Sequence, residues 1–267
     1  GFYGNAGTRH IESREPRTTK HAPRVTNLDP RITSHEQRDY RGAPNMMTEK
    51  LREAVSRLNE RDLAGAERLC RESLSQDPRN PDALHLLGFV RLMGGNARDA
   101  ATLIGQALEA NPHNAAILEN LGLAHLALQD YAKAETLFRE ALGRGAAHGM
   151  LYMRLGLALG SQGRPAEAVS ALRTAADRAP GDPDVQLNLG NALAECGQTE
   201  AAAACYRKVL ALQPNHVDAH FNLGTLFKRL GRLDEAVAAY RQALAHAPGY
   251  ADAHNNMASA LFIRGDI

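Results

Sequence analysis

Tryptophan is absent, aromatic side chains make up 5% of the 267 residues, and cysteine occurs three times. A core here cannot rest on large rings. It must rest on close packing of Ala and Leu within a composition that is 44% hydrophobic, and small side chains let helix backbones approach one another. Three cysteines (Cys70, Cys196 and Cys205) make neither a disulfide framework nor a zinc site. With no apolar signal region near the start, they suit a reducing, cytoplasmic setting. No run approaches the roughly 20 consecutive apolar residues of a membrane-spanning helix. A dominant charge sign is missing too: 31 Lys and Arg face 30 Asp and Glu, a net charge of +1, without the basic excess of a dedicated nucleic-acid binder. Phosphate-cradling glycine loops, metalloprotease helices and nucleophile elbows are all lacking. No catalytic residue, metal or cofactor is expected.

What is present is glycine and proline, 23 and 12 residues, placed in register. Gly88, Gly122, Gly156, Gly190 and Gly224 are 34 residues apart, and Ala258 continues the series. Ala66, Ala100, Ala134, Ala168, Ala202 and Ala236 share that spacing, as do Pro78, Pro112, Pro180, Pro214 and Pro248, with Ala146 in one proline's place. Leu87, Leu121, Leu155, Leu189 and Leu223 precede the glycines, and Ile104, Phe138, Leu172, Tyr206 and Tyr240 form a further series. Such a period signals stacked supersecondary units. Each unit reads as two amphipathic helices joined by a short turn. The Gly and Ala series mark where the helices cross closely. The prolines stop each second helix, and Gly95, Gly163, Gly197, Gly231 and Gly265 mark the turn within each pair.

These series resemble the signature residues of the tetratricopeptide repeat (TPR) over residues 47–267. The resemblance implies an all-α, right-handed superhelix of antiparallel helix pairs. The frame is 47–80, 81–114, 115–148, 149–182, 183–216, 217–250 and an incomplete 251–267. The first repeat departs from the pattern, with Ala54 for Gly and Glu53 for Leu, as terminal repeats do when one face meets water. The last repeat has no second helix after Gly265, which reads as truncation. The first 46 residues differ in kind: 8 Lys and Arg against 5 Asp and Glu, four prolines, and no sustained apolar periodicity. They are expected to be disordered and, with Met46 and Met47 the first methionines, not part of the folded protein. The alternative is a basic tail that binds an acidic partner.

In TPR arrays the first helices line the inner groove. The resemblance points inward the residues six, three and two before the crossing Gly, and one after it. Candidate peptide-binding residues are then Phe89, Leu123, Met153 and Leu157 on the N-terminal side, and Asn120, Arg154, Asn188, Asn191, Asn222, Thr225, Asn255 and Asn256 along the array. Repeats 81–182 offer a largely apolar groove; those over 183–267 offer amides, hydroxyls and the carboxylates Asp184, Asp218 and Asp252. Asn is a poor helix former, costing about half a kcal/mol against Ala, so its recurrence asks for a reason. An amide can donate to and accept from a peptide group whatever the ligand's side chains. Helices pack about 8–10 Å apart and an extended chain rises about 3.3 Å per residue, so one Asn per repeat meets roughly every third peptide unit.

The runs NLGNAL (188–193), HFNLGTLF (220–227) and HNNMASALF (254–262) are similar to the TPR arm of O-linked N-acetylglucosamine transferases. That resemblance breaks at Arg154 and Leu86. It implies a protein or peptide partner and a catalytic domain, glycosyltransferase or sulfotransferase-like, beyond Ile267. The other readings are a free-standing peptide-binding scaffold and an assembly scaffold. The two-carboxylate clamp of chaperone partners is rejected: its positions hold His85, Glu119, Met153, Leu187, Phe221 and Asn255, with Asp nearby. His220 and His254 stack by repeat and not by metal-ligand geometry. Neither nucleic acid nor membrane is an expected partner. Gly143, Gly145, Ala146, Ala147 and Gly149 predict a softer joint between two repeats.

Overall fold

The computed structural model describes residues 48–266. The expectations for residues 1–46 lie outside the described residues. Among these, thirteen α-helices and no strand occur. They alternate as first and second members of pairs: α1 (Glu49–Asn59) with α2 (Leu63–Gln76), α3 (Pro81–Met93) with α4 (Ala97–Ala110), α5 (Ala115–Ala127) with α6 (Tyr131–Gly143), α7 (Gly149–Ser161) with α8 (Pro165–Arg178), α9 (Pro183–Glu195) with α10 (Thr199–Leu212), α11 (Val217–Arg229) with α12 (Leu233–His246), and finally α13 (Ala251–Arg264).

Local chemistry sets the ends. Asn80 accepts from Ala83 N at 3.0 Å, Asn114 from Ala116 N at 2.9 Å and Asp182 from Asp184 N at 2.9 Å, each capping a first helix. Pro81, Pro165 and Pro183 open their helices where a missing N–H costs nothing. The turn inside each pair needs one residue at positive φ. Gly95, Gly163, Gly197 and Gly231 supply it, Arg61 and Gln129 take the same conformation where no glycine stands, and Gly265 takes it after α13.

Close crossings set the packing. A Cβ on Gly122 would stand 2.5 Å from Phe138 Cε1, and one on Gly190 would stand 2.6 Å from Tyr206 Cε1. In the first pair Ala54 faces this same crossing, and the small, buried Cys70 occupies the position that holds Ile, Phe, Leu or Tyr elsewhere. Burial pushes the Cys70 thiol up to about 12, as fits a cysteine acting as a small hydrophobe. Each second helix also packs on the first helix of the next pair. Successive first helices touch one another as well (α1 with α3, through to α11 with α13), an approach the second helices do not match among the described residues. The stack therefore bends toward its first helices, which line the inner side.

Candidate binding groove

The inner register is tied together across repeats. Asn120 Nδ2 lies 3.0 Å from His85 Nε2, both side chains being buried. Arg154 donates to the buried carboxylate of Glu119, which also accepts from His148 Nε2 at 2.9 Å. His148 in turn caps α7 by accepting from Leu151 N at 3.3 Å. Burial pushes the Glu119 carboxyl up, but the Arg154 guanidinium and His148 outweigh it and hold the carboxyl below its ordinary value. Burial alone drives His85 down to about 4.

Toward the C-terminal end the ties are made mostly by amides and hydroxyls, and none is an ion pair. Asn191 Oδ1 accepts from Tyr206 OH and from Asn222 Nδ2, both at 2.9 Å. Thr225 Oγ1 accepts from Tyr240 OH at 3.2 Å and donates to Phe221 O. Lys228 Nζ donates to Asn256 Oδ1 at 2.8 Å. The residue two before the crossing thus bonds back to the preceding repeat at Asn120, Arg154, Asn222 and Asn256. Asn188 is the exception; its Nδ2 donates to Asp184 O of its own helix at 2.9 Å.

Of the candidate residues, Phe89, Asn120, Leu123, Met153 and Arg154 are buried. Leu157, Asn188, Asn191, Asn222 and Asn256 are half-buried, and Thr225 and Asn255 are exposed. Sequence reasoning missed the hydroxyls of Tyr206 and Tyr240. The signal was available: fifteen residues before each aromatic-series position stands the residue just after the crossing Gly. Where that residue is Asn191 or Thr225 the partner is Tyr; where it is Phe89, Leu123 or Leu157 the partner is Ile104, Phe138 or Leu172. His220 and His254 each engage, through Nε2, the carbonyl of the proline six residues earlier, at 2.9 and 2.8 Å. Among the described residues no group of three or more His, Cys, Asp or Glu gathers as a metal site, and no helix is long and apolar enough to cross a membrane.

A curved stack of helix pairs with a cross-linked inner face is a solenoid scaffold of the kind used for protein interaction. Family models described as tetratricopeptide or TPR repeats match residues 90–149, 151–182, 190–231 and 217–250. The chain belongs to the tetratricopeptide repeat family. Among solved structures it is similar to PilW, a type IV pilus biogenesis factor (20% identity, 79% of this chain and 96% of that one, TM-score 0.70). It is similar also to YrrB, a TPR protein with an unusual peptide-binding site (20% identity, 70% and 96% covered, TM-score 0.60). A third is MamA from Desulfovibrio magneticus RS-1 (21% identity, 64% and 97% covered, TM-score 0.60). At these identities the likeness is one of fold. No curated protein matches the chain significantly.

Proposed function

We propose that the chain is an interaction scaffold that holds an extended protein segment along the first helices α9, α11 and α13. The observation that carries this reading is the Asn191–Asn222 pair. Two donors occupy Asn191 Oδ1, which fixes the amide's orientation and leaves its Nδ2 hydrogens to point elsewhere. Asn222 spends an Nδ2 hydrogen on the pair and keeps its Oδ1 as an acceptor. A held donor beside a held acceptor complements the C=O and N–H of a peptide backbone. Being only half-buried, both amides can meet a ligand. Peptides selected from a random displayed library against the whole chain provide the probe. Asn188→Ala combined with Asn222→Ala should weaken their binding about tenfold or more, each lost backbone hydrogen bond being worth roughly 1 kcal/mol, with an unchanged helical signal. Unchanged binding removes the amide argument.

A second reading makes the array the substrate-selecting arm of a larger transferase of the O-linked N-acetylglucosamine or sulfotransferase-like type. The recurrence of Asn188, Asn222 and Asn256 at one register favours it. The coding sequence beyond Ile267 separates the two: a transferase domain there supports the arm, further repeats and a stop codon support the free-standing scaffold.

A further inference from the structure

Arg154 and Lys228 both reach from the inner face across a repeat boundary, with different results. Arg154 of α7 finds the Glu119 carboxylate in the preceding repeat. Lys228 of α11 finds an amide in the following one: its Nζ donates to Asn256 Oδ1 at 2.8 Å. No carboxylate among the described residues pairs with Lys228. Four residues after the crossing Gly, earlier repeats place Leu92, Leu126, Gly160 and Ala194, so the helix pair itself demands no charge there. Nor does the tie to Asn256 demand one, since a neutral donor serves a neutral acceptor where Asn222 Nδ2 meets Asn191 Oδ1. Lys228 is half-buried and so in part open to the groove. Burial lowers its pKa, and no neighbouring charge offsets the shift. The carboxylates Asp218 and Asp252 stand in the first turns of α11 and α13, whereas Lys228 stands in the last turn of α11. Arg229 turns the other way and donates to Ala194 O at 3.2 Å. Lys228 therefore keeps N–H donors to spare and a charge, partly withdrawn from water, that no counter-charge offsets.

We infer that Lys228 selects an acidic side chain, Asp or Glu, in the extended segment held along α9, α11 and α13. This rests on the reading of that groove as a peptide site and deepens it. A ligand chain that leaves the Asn191–Asn222 pair meets Asn256 one repeat later, roughly 10 Å on, or about three residues of extended chain. Lys228 is bonded to Asn256, so its ammonium stands beside that path. A carboxylate accepts at both oxygens and takes the spare N–H groups in charge-assisted bonds. It supplies to Lys228 what Glu119 supplies to Arg154. Asn256 holds the long side chain in place beforehand, which lowers the entropy lost when the ligand arrives. Backbone contacts to Asn191 and Asn222 accept any sequence; Lys228 makes the site choose one. The two-carboxylate clamp uses other positions, three before the crossing, whereas Lys228 stands four after it and its partner is a side chain within the segment.

The probe is a random peptide library displayed between constant flanking segments, so that no free chain end is offered, and selected on the whole chain. Selected peptides should share Asp or Glu at one position. Lys228→Met, which keeps the stem and loses the charge, should weaken such a peptide about tenfold or more with an unchanged helical signal. Replacing the peptide's acidic residue by its amide should weaken binding to the parent chain by a similar factor and leave binding to Lys228→Met unaltered. The peptide change is read on the parent chain, so it decides the matter even if the variant misfolds. Selection on Lys228→Glu should replace the acidic residue by Lys or Arg. Peptides without a shared acidic position, additive losses from the two changes, or acidic peptides still selected on Lys228→Glu would each overturn the assignment. The amides are tested apart. If Asn188→Ala with Asn222→Ala leaves binding unchanged while Lys228→Met weakens it, the amide argument falls and Lys228 stands; the reverse removes Lys228 alone. A library that yields no binder overturns both.

Discussion

Glu119 and Arg154 meet across one repeat boundary, and Asn191 and Asn222 meet across another. The backbone beneath both is the same helix pair, yet the first contact is a buried ion pair and the second a half-exposed pair of amides. The aromatic series changes in step, with Phe138 behind Leu123 and Tyr206 behind Asn191. A repeat therefore constrains its inner positions to be mutually compatible, not to be any one residue type. What differs between the two parts is the free energy at risk. A buried charge that loses its partner is left in a poor dielectric, whereas a half-exposed amide that loses one turns to water.

The largest effect should come from removing one charge. Arg154→Met leaves the Glu119 carboxylate buried with only His148, and is expected to cost about 3–5 kcal/mol, read as a lowered urea midpoint with helical content retained at low urea. Asn222→Ala should cost about 1 kcal/mol. Glu119→Leu combined with Arg154→Met removes both charges and should recover most of the loss. If Arg154→Met is no worse than Asn222→Ala, the two parts of the groove do not differ in the way described.

Acid should act on the N-terminal part first. The His85 imidazole titrates near 6.5 when unfolded and near 4 when folded, because burial disfavours its charged form. Its contribution to stability is complete above pH 6.5 and falls away as the pH drops toward 4, by roughly 3 kcal/mol at most. Glu119, held low, adds a loss in the same direction below the ordinary carboxylate value. Stability measured from pH 7 to 4 should therefore decline, and His85→Gln should flatten the decline while preserving an amide to face Asn120. A shallower slope remains, because burial and then Lys133 lower His125 too. An unaltered slope in His85→Gln would show that His85 is not the group responsible.

A smaller effect tests the coupling between the aromatic series and the inner face. Phe138→Tyr places a hydroxyl behind the apolar side chain of Leu123 and should cost about 1–3 kcal/mol. Adding Leu123→Asn rebuilds the arrangement seen at Asn191 and Tyr206 and should return about 1 kcal/mol of it. A double-mutant cycle with no coupling would mean that the hydroxyls of Tyr206 and Tyr240 are incidental.

The period, the crossings and most turns were legible in the sequence because each rests on one residue type at one register. The positive φ of Gly163 follows from the glycine series; that of Arg61 and Gln129 does not, since packing of the helix pair imposes it on residues that resist it. The inner face was legible as a set of positions but not as a set of bonds. Asn120 and Asn188 share a register, yet one reaches His85 in the preceding repeat and the other its own helix. Side chains facing Asn120 and Asn188 decide this, and those side chains do not repeat.

The smallest expected effect concerns the joint between α6 and α7, where Gly143, Gly145 and Gly149 stand and no proline bounds the turn. Its backbone is closed by Gly145 N donating to Leu142 O and Ala146 N to Ala141 O, both at 3.1 Å, and side chains brace it further. Arg178 Nε donates to Ala147 O at 3.3 Å, and His148 both caps Leu151 N and holds Glu119. The turn at 213–216 has a comparable backbone bond, from His216 N to Gln213 O at 3.1 Å, but its φ at Pro214 is fixed by the ring. Amides over 143–149 should therefore exchange hydrogen faster than those of the proline-bounded turns. His148→Ala, which removes a helix cap worth about 1 kcal/mol, should speed them about fivefold more by local opening and leave 213–216 unchanged. Equal exchange at both turns in the parent chain would mean that side-chain bracing fully replaces the missing proline. In that case the ion pair at Glu119 stiffens the backbone as well as the groove, and His148→Ala alone would expose the difference between the two parts.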